Sequence, residues 1–401
     1  MKKYGTVIKR VLFALVLLVL LFEIIRDSQR QGDFMGYVNA GNAVLNQTPI
    51  YADYLNTWPP FFSIVSIPIA VLHNFNFLFV RVLWLVSIVV VWFFILKVSV
   101  KMLYKLNLVF KRNGSNDIEL TDWRVFLPFI LTFRFLIEEM QNIQINSFLL
   151  LICLYSIYFL LNKRPILSGI LIGLAVSIKV YPIFLLLFFV WQRQFKSVVI
   201  GLITIGVSVG LCFLVFGFNT TIQYHSDWLT HKAMGQTIFN FKNQSAWPWL
   251  QAFFTHESRG LNIYYNIFDL GLERSKKVTM LLIAVASIYP LAKLFLPKKS
   301  APIFSDFAFV LAATPILSPL AWKYYFVFLF PLILVLHKQL FSDETAKSVK
   351  YIYYVALSLL ILSTEGLIGK TASDIAEIFG AVTIGTLLLL GIFLQFKSSQ
   401  N

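Results

Sequence analysis

Charged residues are scarce in this chain of 401 residues. They make up 13% of it, whereas a soluble domain carries about 25%. Acids are the scarcest, with 19 Asp and Glu against 34 Lys and Arg. The two cysteines, Cys153 and Cys212, both lie in apolar runs, and neither joins a cluster of Cys and His at metal-ligand spacing. The composition therefore argues against a soluble domain, and it indicates neither a disulfide framework nor a zinc site.

Hydrophobic residues make up 58% of the chain and aromatic residues 16%. Many apolar runs approach the roughly 20 residues that cross the hydrocarbon core of a bilayer. We therefore predict an all-α polytopic membrane protein in which residues 1–401 form one transmembrane domain. About twelve spans are expected, at 7–26, 78–98, 124–140, 146–161, 165–179, 181–195, 197–217, 277–297, 303–319, 322–338, 349–364 and 374–396.

The basic residues are divided among short loops, although the net charge is +15. Because they form no single stripe, we expect no nucleic-acid partner; they indicate topology and attraction to anionic membrane lipids. Lysines and arginines fill the proposed inner loops when both termini are cytoplasmic. This predicts an integral protein of a bacterial inner membrane.

Two long loops are then expected on the outer face, at 27–77 and 218–276. The first contains an amphipathic stretch, 34–45, and a short apolar stretch, 61–72, which suits an interfacial or re-entrant helix. A helix break is predicted at Tyr181-Pro182, because proline disfavours the helical conformation of the residue before it.

Asp33 follows the first apolar run and lies on the predicted outer side. In a chain with so few acids, a carboxylate at the mouth of a helical bundle is a candidate general base. The alternative is a helix N-cap, because Asp33 directly precedes the amphipathic stretch 34–45.

Lys179 ends an apolar helix whose small residues, Gly169 and Gly173 among them, favour close packing against a neighbouring helix. Near the outer interface its ammonium could hold a lipid phosphate. The alternative is a lysine that extends its amine to the interface without a specific ligand.

Neutral amides and aromatic rings recur at the predicted outer helix ends. Amides suit sugar hydroxyls because they both donate and accept hydrogen bonds, and aromatic faces are common walls of sugar sites. Hydrated turns and interface anchors are the corresponding structural alternatives. The candidates of these two kinds are Gln144, Asn146, Asn243, Gln244, Trp322 and Tyr324.

Taken together, these segments resemble glycosyltransferase family 87, whose members are polytopic enzymes of the GT-C type. The resemblance runs over most of the chain. It is carried by Asp33…Tyr37…Ala40-Gly41, Tyr51, Trp58-Pro59-Pro60, Gln144-Ile145-Asn146, Gly169…Gly173…Lys179…Pro182, Asn243-Gln244-Ser245 and Ser318-Pro319…Trp322.

The resemblance implies transfer of a hexose such as mannose, with inversion, from a polyprenyl-phosphate donor to a lipid or glycan acceptor. It implies that Asp33 is the catalytic base and that Lys179 and Lys323 bind the donor phosphate. It also implies a metal-independent site without a cofactor. The substrate would be contacted by Tyr37, Trp58, Gln144, Asn146, Asn243, Gln244, Trp322 and Tyr324.

One departure from the family pattern concerns the segment after Ser318-Pro319. The family usually has Ser-Trp-Asp-His-His there, and this chain has Ala-Trp-Lys-Tyr-Tyr at 321–325. The loss of both histidines leaves the sugar open. A transporter of a lipid-linked saccharide and a GT-C enzyme of another family are the alternatives, and a transporter predicts broken helices at matching positions.

Overall fold

The computed structural model describes residues 2–53, 55–233, 239–295, 303–341 and 346–399. Within these ranges the chain is nearly all helical and divides into two compact units. The first unit comprises residues 1–126 and 136–236, and the second comprises 127–135 and 237–401. The single transmembrane domain expected for 1–401 stays a prediction.

Eleven helices precede residue 228 in the described chain. They are α1 Lys2–Asp27, α2 Phe34–Leu45, α3 Pro60–Val65, α4 Ile67–Phe75, α5 Phe77–Tyr104, α6 Trp123–Gln141, α7 Asn146–Leu161, α8 Pro165–Ile178, α9 Ile183–Trp191, α10 Phe195–Phe216 and α11 Phe218–Asp227. A π-helical turn, Trp228–Ala233, follows α11.

Eight further α-helices are described in the remainder of the chain. They are α12 Ala246–Gln251, α13 Gly271–Phe295, α14 Ile303–Leu317, α15 Phe330–Leu340, α16 Lys347–Leu362, α17 Glu365–Ile368, α18 Lys370–Ile378 and α19 Ala381–Ser399. A 3₁₀ helix, Lys323–Leu329, leads directly into α15.

Four of the described helical segments are long and apolar enough to cross a membrane. They are Phe77–Tyr104, Phe195–Phe216, Gly271–Lys293 and Lys323–Leu340, and the bent pair α18 and α19 would make a fifth. These helices are compatible with an integral membrane protein. The count of about twelve spans stays a prediction, and the inner loop expected around Lys298 and Lys299 lies outside the described residues.

The loops contain more structure than the sequence predicted. Helices α2, α3 and α4 confirm the amphipathic and short apolar stretches of the first loop. Between α5 and α6, two short parallel strands, β1 Asn107–Val109 and β2 Asp117–Glu119, correct the all-α expectation. The second loop holds α11 and α12, while its residues 234–238 lie outside the described residues.

Helices α8 and α10 pack closely through small residues, as predicted. A Cβ atom on Gly169 would lie 2.5 Å from the carbonyl oxygen of Ser197, and one on Gly173 would lie 2.6 Å from that of Gly201. No real Cβ tolerates such distances, so glycine is required at both positions. Close backbone approach through small residues is typical of helix pairs in membranes.

The helix break predicted near Pro182 is present. Helix α8 ends at Ile178, Lys179 has an extended backbone, and α9 begins at Ile183. Proline has no N–H to continue the helical hydrogen bonds and restricts the residue before it. The break therefore leaves Lys179 in a non-helical segment between two apolar helices.

The last predicted span, 374–396, is not one straight helix, and this corrects the expectation. Helices α18 and α19 are bent by 54°. Gly380 between them has φ +77°, and a Cβ there would lie 2.3 Å from Cδ1 of Trp249. Trp249 Nε1 also donates a hydrogen bond to the Phe379 carbonyl at 3.0 Å. The bend thus depends on a contact with α12.

Candidate functional site

Asp33 lies at the entry to α2, in the first unit. Gly32 takes a left-handed conformation with φ +51°, and the Asp33 N–H donates to the Asn142 carbonyl at 3.2 Å. The Asp33 side chain makes no capping hydrogen bond to α2. It is half-buried, and its Oδ2 accepts a hydrogen bond from Gln144 Nε2 at 2.5 Å. The N-cap alternative therefore does not account for this carboxylate.

Gln144 joins Asp33 to the aromatic core of the first unit. Its Oε1 accepts from the Tyr37 hydroxyl at 3.0 Å, and its carbonyl accepts from Trp84 Nε1 at 3.1 Å. Only 2% of Gln144 is exposed. Because an amide held at both ends cannot rotate freely, Gln144 fixes the orientation of the Asp33 carboxylate.

Tyr37 and Trp58 are packed on one another in this core. Their ring centroids are 4.7 Å apart, and both rings also contact Phe62. Tyr37 is fully buried and Trp58 is 4% exposed. Both rings are thus packed in the core in this conformation, and the substrate contacts expected for them stay a prediction.

A buried cation lies in the same unit. Lys179 Nζ donates to Asn146 Oδ1 at 3.0 Å, and the Tyr181 hydroxyl donates to the same oxygen at 2.8 Å. Gln144, which donates to Asp33, and Asn146, which accepts from Lys179, are two residues apart at the start of α7. The cluster therefore brings together a carboxylate that could accept a proton and an ammonium that could stabilise an anion.

The side-chain amide of Asn146 can still donate a hydrogen bond. It is fully buried, and its Nδ2 has no hydrogen-bond partner among the described residues. A buried amide donor without a partner costs about 1–3 kcal/mol. A bound sugar or phosphate oxygen would remove that cost, so Asn146 is a candidate ligand contact.

Asn243 and Gln244 lie in the second unit and are fully buried. Asn243 Nδ2 donates to the Pro319 carbonyl at 3.0 Å, and its Oδ1 accepts from the Ala321 N–H at 2.9 Å. Gln244 Nε2 donates to the Glu377 carbonyl at 2.9 Å, while its Oε1 has no hydrogen-bond partner among the described residues. These contacts brace neighbouring turns, and substrate binding by both amides stays a prediction.

Lys323 belongs to a buried cluster of charges around Glu377. Its Nζ lies 2.9 Å from Glu377 Oε1, and Lys242 Nζ lies 3.3 Å from Oε2 of the same carboxylate. Lys242 also donates to Asp374 Oδ1 at 2.7 Å, and Arg134 Nη2 lies 4.0 Å from Glu377 Oε1. Burial disfavours the charge of Lys242, but its two acidic partners keep its pKa above the ordinary value. A phosphate bound by Lys323 would compete with the Glu377 carboxylate for the same ammonium group.

The two aromatic candidates beside Lys323 differ in exposure. Trp322 is half-buried and directly precedes the 3₁₀ helix Lys323–Leu329. Tyr324 is 7% exposed and packs against Tyr325 with ring centroids 5.3 Å apart. Trp322 is therefore better placed than Tyr324 to offer a ring to a ligand.

The predicted site residues thus fall into two groups. The first unit brings together Asp33, Tyr37, Trp58, Gln144, Asn146 and Lys179. The second unit contains Asn243, Gln244, Trp322, Lys323 and Tyr324.

Sequence reasoning missed Tyr181 and Glu377. Tyr181 gave only the common signal of a tyrosine before a proline. Glu377 had a better one, because it stands three residues after Asp374 in a chain with only 19 acids.

A sequence model of glycosyltransferase family 87 matches residues 56–319, about two thirds of the chain. No curated protein and no solved structure matches. The matched region includes Gln144, Asn146 and Lys179 but begins after Asp33, so the importance of Asp33 rests on its geometry.

Proposed function

The chain belongs to glycosyltransferase family 87, and from that premise we propose which reaction this glycosyltransferase performs. It transfers a hexose, mannose or a related sugar, from a polyprenyl-phosphate donor to a hydroxyl of a lipid or glycan acceptor. The observation that carries the proposal is the half-buried Asp33 carboxylate, held at 2.5 Å by Gln144 in the same cluster as Lys179.

Asp33 acts as the general base. Its carboxylate takes the proton from the acceptor hydroxyl as that oxygen attacks the anomeric carbon. The bond between the anomeric carbon and the phosphate oxygen breaks, and polyprenyl phosphate leaves with the electron pair. Attack opposite the leaving group inverts the anomeric configuration. The hydrogen bond from Gln144 supports this role, because it keeps the Asp33 carboxylate aligned.

Lys179 stabilises the leaving phosphate. The phosphate gains negative charge as the glycosidic bond breaks, and a buried ammonium acts on that charge more strongly than one in water. Asn146 adds its unpartnered Nδ2 as a donor to a phosphate or sugar oxygen. The proposed reaction takes its charge stabilisation from these side chains and uses no metal or cofactor.

Residues of the second unit are also proposed to bind substrate. Trp322 packs its half-buried ring against a sugar. Lys323 binds the donor phosphate with an ammonium group that also contacts Glu377. Substrate contacts by Tyr324, Asn243 and Gln244 are part of the same proposal. Because Lys323 and Tyr324 stand at positions where the family usually has Asp and His, the sugar need not be mannose.

The reaction takes place at a membrane, on the outer face of a bacterial inner membrane with both termini in the cytoplasm. The apolar helices of the described chain support membrane insertion, and the basic residues of the proposed inner loops support the orientation. Cysteine labelling at position 33 from outside, and at 112 from inside, tests the orientation.

The deciding experiment compares sugar transfer by wild type, Asp33→Asn and Asp53→Asn. The purified protein in lipid receives a polyprenyl-phosphate hexose labelled in the sugar, together with extracted membrane lipids. Asp53 is a matched control, because it is also half-buried and accepts a hydrogen bond from an amide, Asn39, at 2.7 Å. We expect Asp33→Asn to lose turnover while it still binds the donor, and Asp53→Asn to keep turnover. Equal turnover in wild type and Asp33→Asn would remove Asp33 from the chemistry.

Transport of a lipid-linked saccharide is the remaining alternative. The observation that favours it is the second helix break, between α18 and α19. Transporters use broken helices at their sites, and the chain is broken at 179–182 and between α18 and α19. Membership of a glycosyltransferase family favours the enzyme. In vesicles, labelled donor that crosses the membrane with its glycosidic bond intact would favour the transporter.

A further inference from the structure

Arg81 is a buried cation for which the described part of the chain provides no counterion. It lies in the second turn of α5, and only 5% of it is exposed. Within the described ranges no carboxylate lies within 4.0 Å of its guanidinium, and its Nε is buried without a hydrogen-bond partner. An arginine cannot lose its proton to escape this situation.

The contacts that Arg81 does make are weak. Its Nη2 lies 3.5 Å from Met35 Sδ and 3.4 Å from His73 Nε2, and its guanidinium lies 5.2 Å from the centroid of the Phe77 ring. A thioether is a weak acceptor, and an imidazole supplies at most one lone pair. These groups cannot replace the hydration that a buried charge loses, which costs several kcal/mol per ion.

The surroundings of Arg81 indicate which anion would compensate it. The residues around the junction of α4 and α5 are apolar and strongly exposed, with Phe75 at 89%, Phe79 at 56% and Val71 at 51%. In a membrane protein such side chains face lipid. An anion that reaches Arg81 from this side would therefore carry an apolar chain.

The start of α5 adds to the attraction for an anion. The helix is 28 residues long and begins at Phe77, so its N-terminal N–H groups contribute a partial positive charge near Arg81. His73 on α4 faces the guanidinium and offers a second nitrogen. An arginine fork and an imidazole on two different helices suit the several oxygens of a phosphate group.

We propose that Arg81 and His73 form a binding site for the phosphate group of a membrane lipid, whose hydrocarbon chain lies along the exposed apolar residues of α4 and α5. The phosphate accepts hydrogen bonds from the guanidinium and replaces its missing counterion. This site differs from the Lys179 cluster. The inference does not rest on the proposed function, because lipid binding at Arg81 requires no sugar transfer.

The test measures lipid binding by the full-length protein in detergent, for wild type, Arg81→Gln, Arg81→Lys and Arg164→Gln. The probes are undecaprenyl phosphate, phosphatidylglycerol, undecaprenol and inorganic phosphate. Undecaprenol has the chain without the phosphate, and inorganic phosphate has the anion without the chain. Arg164 is the matched control, because it is an exposed arginine at the start of α8.

We expect Arg81→Gln to weaken binding of one or both phosphate-bearing lipids at least about tenfold, as the loss of a charge-assisted hydrogen bond predicts. Arg81→Lys should weaken it less, and Arg164→Gln should not change it. Undecaprenol should bind equally to wild type and Arg81→Gln. Loss of undecaprenyl phosphate alone would identify a lipid-linked substrate, and loss of phosphatidylglycerol alone would identify a bilayer phospholipid.

Two outcomes would overturn the proposal. One is equal affinity of wild type and Arg81→Gln for both phosphate-bearing lipids. The other is a lower melting temperature of Arg81→Gln than of wild type in delipidated detergent, because it would mean that the protein itself compensates the charge. Inorganic phosphate that binds as tightly as the lipids would refute the role of the chain. This test is independent of the test of the proposed function. We expect Asp33→Asn to lose sugar transfer and to bind the phosphate-bearing lipids as wild type does, so the two proposals can fail separately.

Discussion

The hydrogen bond from Gln144 to Asp33 is the contact on which the proposed chemistry most depends. Replacing Gln144 by leucine removes the amide that lies 2.5 Å from Asp33 Oδ2, with little change in volume. A hydrogen bond to a charged group contributes about 1.5–3 kcal/mol. At about 1.36 kcal/mol per tenfold change in rate, its loss predicts a kcat roughly ten to a hundred times lower.

The same substitution also removes an acceptor from the Tyr37 hydroxyl, 3.0 Å from Gln144 Oε1. Tyr37→Phe removes this second hydrogen bond and leaves the first in place, so it is the matched control. We expect Tyr37→Phe to lower the stability by about 0.5–1.5 kcal/mol, the net contribution of a neutral hydrogen bond. Its kcat should fall less than that of Gln144→Leu, because the Gln144 amide still donates to Asp33.

The assay is the transfer of labelled hexose from polyprenyl phosphate by purified protein in lipid, with thermal unfolding followed on the same preparations. A folded Gln144→Leu variant with the kcat of wild type would refute the argument that Gln144 orients the base. An equal loss of kcat in Gln144→Leu and Tyr37→Phe would refute it too, because the common cause would then be the packing of α2.

Three other substitutions test separate parts of the structure. Lys179→Met should weaken binding of the polyprenyl-phosphate donor about tenfold, in line with the loss of a charge-assisted contact, while Lys163→Met, at an exposed lysine, should bind as wild type. Glu377→Gln should lower the free energy of unfolding by about 3 kcal/mol, because it removes the buried carboxylate that pairs with the mostly buried Lys323 and with the part-exposed Lys242. A change as small as that of the exposed Glu365→Gln would show that the cluster carries little stability. Gly173→Ala should be destabilised by about 1–3 kcal/mol, because its Cβ would clash with the Gly201 carbonyl, whereas Gly206→Ala, with nothing within 4 Å, should be slightly stabilised. Denaturation in detergent measures the free energy of unfolding of the two glutamate variants and the two glycine variants. A Gly173→Ala variant as stable as Gly206→Ala would contradict the close packing of α8 and α10.

Features that depend on neighbouring residues could be predicted from the sequence. The apolar runs predicted the helical class, and the small residues of α8 predicted close packing on a neighbouring helix, which the structure identifies as α10. Pro182 gave the break after Lys179. Each of these follows from the chemistry of a few adjacent side chains, because hydrophobicity, small size and the missing proline N–H act locally.

The bend between α18 and α19 could not be predicted from the residues that form it. The sequence 374–396 is continuously helical in character apart from Gly380, and a single glycine does not by itself end a helix. The hydrogen bond from Trp249 to the Phe379 carbonyl stabilises the bend from a distant helix. No property of residues 374–396 alone indicates that partner.

The candidate site divides in the same way. The residues alone marked Asp33 as an unusual acid and Gln144 and Lys179 as polar groups at helix ends. Only the fold brings Gln144, 111 residues away, into hydrogen-bonding contact with the Asp33 carboxylate. Only the fold likewise pairs Lys323 with Glu377. The physical reason is that a side chain's chemistry is intrinsic to it, whereas its partners depend on which helices pack together, and that packing is decided by the whole chain at once.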